Sequence, residues 1–327
     1  MQNKSETTLV VLGANGRLGH AVAKAAVLAG ARTIAVTRDG KLRHSIDGVE
    51  TRAADALDER AIREACRDAD VIFNGLNPIY TRWAKDALPM ARNVLAAQRE
   101  SGALQLFPGN VYSYGEGMPA RLTPSTPHAP TSRKGAIRQQ IEEMFDAARR
   151  EGLGITVLRA GDFYGGPVPG SWFDLVVANK IAKGIVTYPG PRDMPHAWAY
   201  LPDLAANFVA LALAKGPLPD SLTFDGNTLT GNELHAALER VTGSTLKKKS
   251  MPWRLVQALG LFNPMMREVA EMGYLWRTPH AIDGSDLDAF LGDRRRAPLD
   301  EALVSSLAAL DMLPKSESTG VGKLALV

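Results

Sequence analysis

The sequence predicts an α/β fold, a doubly wound parallel sheet joined to a smaller, mostly helical C-terminal substrate region. Three observations carry that prediction. Short apolar, β-branched segments alternate with helical segments through residue 160. The first strand runs straight into a glycine turn, Gly13-Ala14-Asn15-Gly16-Arg17-Leu18-Gly19. Beyond residue 250 the chain reads as helical pieces broken at Pro264, Pro279 and Pro298. A strand, a glycine turn, a helix and a second strand in succession make the βαβ unit from which parallel sheets are built.

Thr7 to Leu12 reads as the first strand because it is apolar and β-branched up to Gly13. His20 to Ala29, rich in alanine, reads as a helix that Gly30 ends, and Arg32 to Thr37 as the second strand. Helices follow over 58–69, 80–100 and 131–150, the second with a potential break at Pro89. Strands fall at 70–74, 104–107 and 155–159. The second half is less regular. A helix is expected over 171–183, a strand over 185–188 and a proline-rich loop over 189–195. Helices are expected again from Pro202 to Ala214 and from Thr230, a good capping residue, to Val241, with a strand over 221–225 between them. Residues 1–165 are thus read as the dinucleotide-binding core. Residues 166–327 are read as a mixed region that completes the sheet and forms the substrate part, with 314–327 a surface tail.

Composition narrows the function classes. The 327 residues are 45% hydrophobic and 22% charged, ordinary for a globular protein, and 38 basic against 35 acidic side chains leave a net charge of +3. That balance, without a basic stripe or a nucleic-acid motif, gives no reason to expect a nucleic-acid partner. Cys66 is the only cysteine, so no internal disulfide or cysteine metal cluster can form, and the six histidines are scattered without ligand spacing. No metal is expected. No apolar run approaches membrane-spanning length and residues 1–6 lack a signal-peptide pattern, so the expected setting is the cytoplasm, away from membranes.

The glycine turn carries the chemistry. Gly13, Gly16 and Gly19 permit a tight turn and close approach of a pyrophosphate, while the helix from about Arg17 directs free N–H groups at the phosphates. Asn15 and Leu18 belong to the same cradle. This makes the core a Rossmann unit. At the end of the second strand an NAD site places a carboxylate for the ribose 2′-hydroxyl. Here the chain reads Val36-Thr37-Arg38-Asp39. Thr37 and Arg38 at that place favour NADP over NAD, since a guanidinium suits a 2′-phosphate, and Arg17 is a second candidate for the same phosphate. The rival reading leaves Arg38 in solvent and gives Asp39 the ribose. Asp55 is a candidate for the adenine end or, equally, a helix-start cap.

With these residues in place the chain resembles the extended short-chain dehydrogenase/reductase superfamily, the group of NAD-dependent epimerases and dehydratases. The resemblance rests on the glycine turn, Asp70-Val71-Ile72-Phe73-Asn74, Tyr114-Gly115, Leu158-Arg159, Phe163-Tyr164-Gly165, Asp203 before Leu204-Ala205, and Asp286 to Gly292. It implies a substrate cleft between the core and the C-terminal part, and a homodimer built on the helices at 80–100 and 131–150. It also exposes a departure. Lys134 matches the family's catalytic lysine, but Pro130 stands where the tyrosine four residues earlier belongs, and Asn110 stands where a serine or threonine belongs.

The resemblance implies that Lys134 holds the nicotinamide ribose. Asn110 can offer an amide hydrogen bond to a substrate oxygen. The missing proton donor is sought among Tyr112, Tyr164 and His128, with Tyr114 read as structural and His196 as a weaker candidate. Tyr112 projects with Asn110 if the chain stays extended. Arg92, Arg138 and Arg192 read as solvated residues that can otherwise meet an acidic group. The function expected is an NADP-dependent oxidoreductase transferring hydride to or from a small carbonyl or hydroxyl compound. The alternatives are a nucleotide-sugar-type epimerase or dehydratase, or a non-catalytic NADP-binding sensor or scaffold.

Overall fold

The computed structural model describes residues 7–313. In chain order the main elements are β1 (Thr8–Leu12), α1 (Arg17–Leu28), β2 (Arg32–Thr37), β3 (Glu50–Ala53), α2 (Glu59–Cys66), β4 (Val71–Asn74), α3 (Trp83–Ser101), β5 (Leu104–Gly109), β6 (Arg121–Leu122), α4 (Arg133–Arg150), β7 (Ile155–Arg159) and β8 (Asp162–Tyr164). Then come β9 (Ile185–Tyr188), β10 (Pro195–Tyr200), α5 (Leu201–Leu213), β11 (Ser221–Thr223), β12 (Asn227–Thr230), α6 (Gly231–Thr242), β13 (Lys247–Ser250), α7 (Trp253–Gly260), α8 (Pro264–Glu271), β14 (Ala281–Ile282), α9 (Ser285–Leu291) and α10 (Leu299–Ala308).

Seven strands form one parallel sheet in the order β11-β7-β5-β4-β1-β2-β3. The central strands are buried along their whole length, which is why β1, β4 and β7 are apolar runs rather than alternating ones. One face packs on α1 and α5, with Phe73 edge-on to Phe208 at 4.9 Å. The other packs on α2, α3 and α4, with Phe107 edge-on to Phe145 at 4.9 Å. The strand order reverses between β1 and β4, and ligands of such sheets gather at the carboxyl ends beside that reversal.

The second half supplies β11 to the main sheet and a three-stranded sheet, β12-β10-β8, in which Trp198 pairs with Asp162. Around it lies a second apolar cluster containing Tyr164, Phe173, Trp198 and Trp276. Thr230 caps α6 in a reciprocal box with Glu233, as its sequence suggests.

Three expectations change. α3 runs unbroken through Pro89. The acceptor that Pro89 deprives is the carbonyl of exposed Lys85, which water can satisfy. Residues 171–183 form no α-helix, only a π turn at Phe173–Val177 and a 3-10 turn at Ile181–Lys183. The cause is buried Asp174, whose carboxylate takes the amides of Gly170 and Ser171 and an ion pair with Arg17. Finally, β8 and β10 stand in stretches too polar or too short to read as strands.

Candidate functional site

The phosphate cradle forms at the sheet's reversal. Gly13 has φ +76° and packs so closely on the turn after β4 that a Cβ there would lie 2.8 Å from the Gly75 carbonyl oxygen. A Cβ on Gly19 would collide with the carbonyl oxygen of Gly13. The glycines thus bring β1, β4 and α1 together more tightly than any side chain permits. Gly16 is the N-cap of α1 without a side-chain cap, and no acid stands in the first turn, so the amide donors and the positive end of the helix dipole stay available to an anion. Such a donor set suits a diphosphate, and the residues fit the pyrophosphate of a dinucleotide.

Not every cradle residue points at it. Asn15 spends its carboxamide on the loop after β2, donating to the Lys41 carbonyl at 2.9 Å and accepting from the Arg43 amide at 2.9 Å. It positions that loop beside the turn. Leu18 is buried and contributes backbone only. Arg17 does not reach the 2′-phosphate region. Its guanidinium holds the carbonyls of Val168 and Gly165 and the Asp174 carboxylate at 2.8 Å. Burial lowers the Arg17 pKa and Asp174 opposes that fall.

Arg38 stands just past the end of β2 as an exposed cation. Its side chain is 81% exposed, and its nearest carboxylate, Asp55, is 3.7 Å away. Thr37 lies beneath it and donates to Asp39 Oδ1 at 3.2 Å, which also accepts from the Lys41 amide at 3.2 Å. Asp39 therefore folds one oxygen into its own turn, and those bonds lower its pKa. Asp55 is not the helix cap, because Asp58 accepts from the Ala61 amide and caps α2. Asp55 accepts from Leu57 and remains on the surface near Arg38.

Lys134 is held elsewhere than the resemblance implies. Ser132 caps α4 and leaves Lys134 in its first turn, where a cation opposes the helix dipole. The ammonium is 1% exposed and pairs with the carboxylates of Glu268 and Glu271 from α8, the latter at 2.5 Å, with the Glu268 carbonyl at 3.4 Å. An ammonium has three donors, and all three face α8. The ammonium also lies 5.0 Å from the centre of the Tyr80 ring.

The other candidates divide. The chain after β5 does not stay extended. Asn110 Oδ1 accepts from the Tyr112 amide at 3.0 Å, and Tyr112–Tyr114 form a 3-10 turn, so the extended alternation expected to align the two side chains is absent. Among the described residues the NH₂ group of half-buried Asn110, just past β5, meets no protein acceptor. Tyr112 shares a 3.0 Å hydroxyl–hydroxyl bond with Tyr80. Tyr164 is a core residue, 2% exposed, whose hydroxyl donates to Asn227 Oδ1 at 2.6 Å, and this withdraws it from the site. His128 belongs to the buried Arg159–Glu142 pair, with Nε2 3.4 Å from Arg159 Nη2 and 3.6 Å from Glu142. Burial lowers its pKa. Tyr114 is structural as expected, lying under the Arg159 guanidinium at 4.8 Å.

The structure gives His196, the weaker candidate, partners that the sequence did not announce. His196 Nε2 bonds Asp162 Oδ2 at 2.8 Å, and its ring stacks on Trp276 at 4.2 Å. The His280 ring meets it at 4.6 Å and bonds the Thr278 carbonyl through Nδ1. Burial pushes His280 down to about 4 and keeps it neutral. The charge of Asp162 bears on Tyr80, Tyr112 and Tyr274 as well as on His280, so these groups surround one region beside α4. Asp162 stands just past the carboxyl end of β7, a place where the rim rule for α/β sheets would have flagged it. Among the described residues no group of three or more His, Cys, Asp or Glu is placed to hold a metal ion, and no helix is long and apolar enough to cross a membrane.

The seven-stranded parallel sheet flanked by helices is a Rossmann-like α/β fold that solved epimerase structures share. The NmrA-like family model matches residues 5–166. Similar solved structures include a UDP-glucose 4-epimerase from Thermotoga maritima, with TM-score 0.75 and 18% identity over 93% of this chain and 98% of that one. A nucleoside-diphosphate-sugar epimerase from Pseudomonas aeruginosa has TM-score 0.69 and 19% identity over 93% and 97%. A UDP-glucuronic acid 4-epimerase from Bacillus cereus, solved with UDP-glucuronic acid and NAD, has TM-score 0.73 and 15% identity over 94% and 100%. No curated protein matches the sequence.

Proposed function

We propose that the chain is an NADP-dependent oxidoreductase that reduces a small carbonyl compound, with Tyr112 and Tyr80 as its proton-donating pair. The paired hydroxyls carry this reading. In a bond between two phenols one O–H is spent on its neighbour, and the second remains free to donate. Burial raises both groups, Tyr80 to about 12 and Tyr112 well above its ordinary value. Both stay protonated at neutral pH, which suits donation to an oxygen that gains negative charge and does not suit proton abstraction. The direction favoured is therefore reduction.

The dinucleotide, when bound, supplies the hydride. Backbone amides of residues 13–19 hold its pyrophosphate, and Arg38 meets the 2′-phosphate, the feature that selects NADP. The free NH₂ group of Asn110 orients the substrate oxygen. Lys134, fixed on α8, anchors the wall against which Tyr80 stands.

A second reading is favoured by the Asp162–His196 pair. An imidazole bonded to a carboxylate is a proton acceptor on the same region, and an epimerase needs both an acid and a base. The fold neighbours named as nucleotide-sugar epimerases agree with it. Incubation with NADPH and a panel of ketones and aldehydes separates the two. Substrate-dependent loss of reduced-nicotinamide absorbance supports the reductase. Isomerised product without net cofactor loss supports the epimerase. NADPH binding with neither change leaves the chain as a sensor and defeats both catalytic readings.

A further inference from the structure

Arg138 stands one helical turn after Lys134 on α4. Its sequence position suggests a solvated side chain, yet it is 8% exposed. The guanidinium lies 4.9 Å from the centre of the Trp83 ring and 5.1 Å from that of Phe107. Its Nε has no hydrogen-bond partner. Its remaining contacts are long, 3.5 Å to the Pro108 carbonyl and 3.4 Å to Asn77 Oδ1. The carboxylate of Glu142, the next turn along, is taken by Arg159 at 2.6 and 3.1 Å. Among the described residues Arg138 forms no ion pair. Burial drives its pKa down to about 10, so it keeps its charge at neutral pH. A buried unpaired cation is costly and is retained where something else repays it.

The guanidinium faces a crevice lined by Asn74, Leu76, Asn77, Trp83, Met90 and Phe107. The crevice lies at the carboxyl ends of β4 and β5 and reaches the surface at exposed Asn77. It adjoins the phenol pair, since the charge of Arg138 bears on both Tyr80 and Tyr112. We propose that Arg138 receives a carboxylate of the substrate, which makes the substrate a small oxo acid with an apolar body. The naming of an oxo acid rests on the reductase reading above; the carboxylate site does not. With aromatic rings against the guanidinium, its N–H edge is what remains to bond, and that planar fork matches a planar carboxylate. One cation balances one negative charge, whereas a diphosphate would call for more. The crevice is small, about 20 Å³, so it takes the carboxylate, and Leu76 and Pro78 beside Asn77 meet the apolar body.

The probes are benzoate and its uncharged counterpart benzamide, added to the full chain with and without NADPH. Tryptophan fluorescence and the melting temperature are followed, because Trp83 lines the crevice. Benzoate should saturate and raise the melting temperature, and benzamide should do neither. Arg138→Met should weaken benzoate by about tenfold or more, the loss of a charge-assisted hydrogen bond, while melting no lower than the parent because an unpaired charge has been removed. Arg138→Lys, which keeps the charge and loses the fork, should bind benzoate at an intermediate level. Absence of benzoate binding to the folded parent chain overturns the proposal. So does an Arg138→Met variant that is strongly destabilised, since Arg138 is then a packing element. Benzoate binding without reduction of any oxo acid leaves the carboxylate site standing and removes the reductase reading.

Discussion

Replacing Lys134 by methionine removes the ammonium that joins α4 to α8 and leaves Glu268 and Glu271 side by side. Lys134 is 1% exposed, and the two carboxylates 11% and 16%. Removing one partner from a buried ion pair costs about 3–5 kcal/mol. Arg133 still touches both carboxylates, at 2.8 and 3.4 Å, but its side chain is 62% exposed, so it offsets only about 1 kcal/mol or less. The net loss expected is about 2–4 kcal/mol, read as a lower urea midpoint with an unchanged slope.

The loss also depends on pH. Burial works to raise the Glu271 carboxyl, but hydrogen bonds from Lys134 and the Arg133 amide outweigh it and hold the pKa below the ordinary range. A carboxyl depressed in the folded state contributes stability above its unfolded pKa, and that contribution fades as pH falls through the folded value. The gap between parent and variant should therefore be full at neutral pH and shrink in acid. Restoring neutrality with Glu268→Gln and Glu271→Gln in the Lys134→Met background should recover at least half of the loss. A midpoint at neutral pH within about 0.5 kcal/mol of the parent, the range of an ordinary surface change, would refute the buried triad.

Other outcomes follow from the same contacts. Gly19→Ala should leave the circular dichroism spectrum intact yet weaken NADPH by more than about tenfold, because its Cβ collides with the Gly13 carbonyl inside the cradle. Tyr112→Phe should lower kcat for carbonyl reduction by about 10²-fold or more with little change in NADPH affinity, the usual effect of losing a general acid. Tyr164→Phe should leave turnover unchanged and cost about 1 kcal/mol of stability, since Asn227 loses its donor. A large fall in turnover there would return Tyr164 to the site.

The parallel sheet and the glycine turn were legible because both follow from local chemistry. Apolar runs mark strands buried on both faces, and Gly13, Gly16 and Gly19 mark a backbone that must come close to something. The place of Arg38, just past the end of β2, follows from the same local pattern. What escaped the sequence depends on partners far along the chain. Arg17 is claimed by Asp174 and Lys134 by α8, and no spacing near either residue announces those partners. Tyr80 and Tyr112 meet only because the turns after β4 and β5 lie side by side. Arg138 reads as surface because an arginine on a polar helix usually is; its burial depends on Trp83 and Phe107 folding over it. Tyr164 misled in the opposite sense, standing near the rim in sequence but turning into the C-terminal core.

The most direct measurement is calorimetry of NADPH and NADH binding to the parent chain and to Arg38→Ala. NADPH should bind the parent more tightly than NADH, and the variant should lose most of that difference while keeping its affinity for NADH. Equal or tighter binding of NADH by the parent would contradict the role given to Arg38. Failure of the folded chain to bind either nucleotide would contradict the whole functional account.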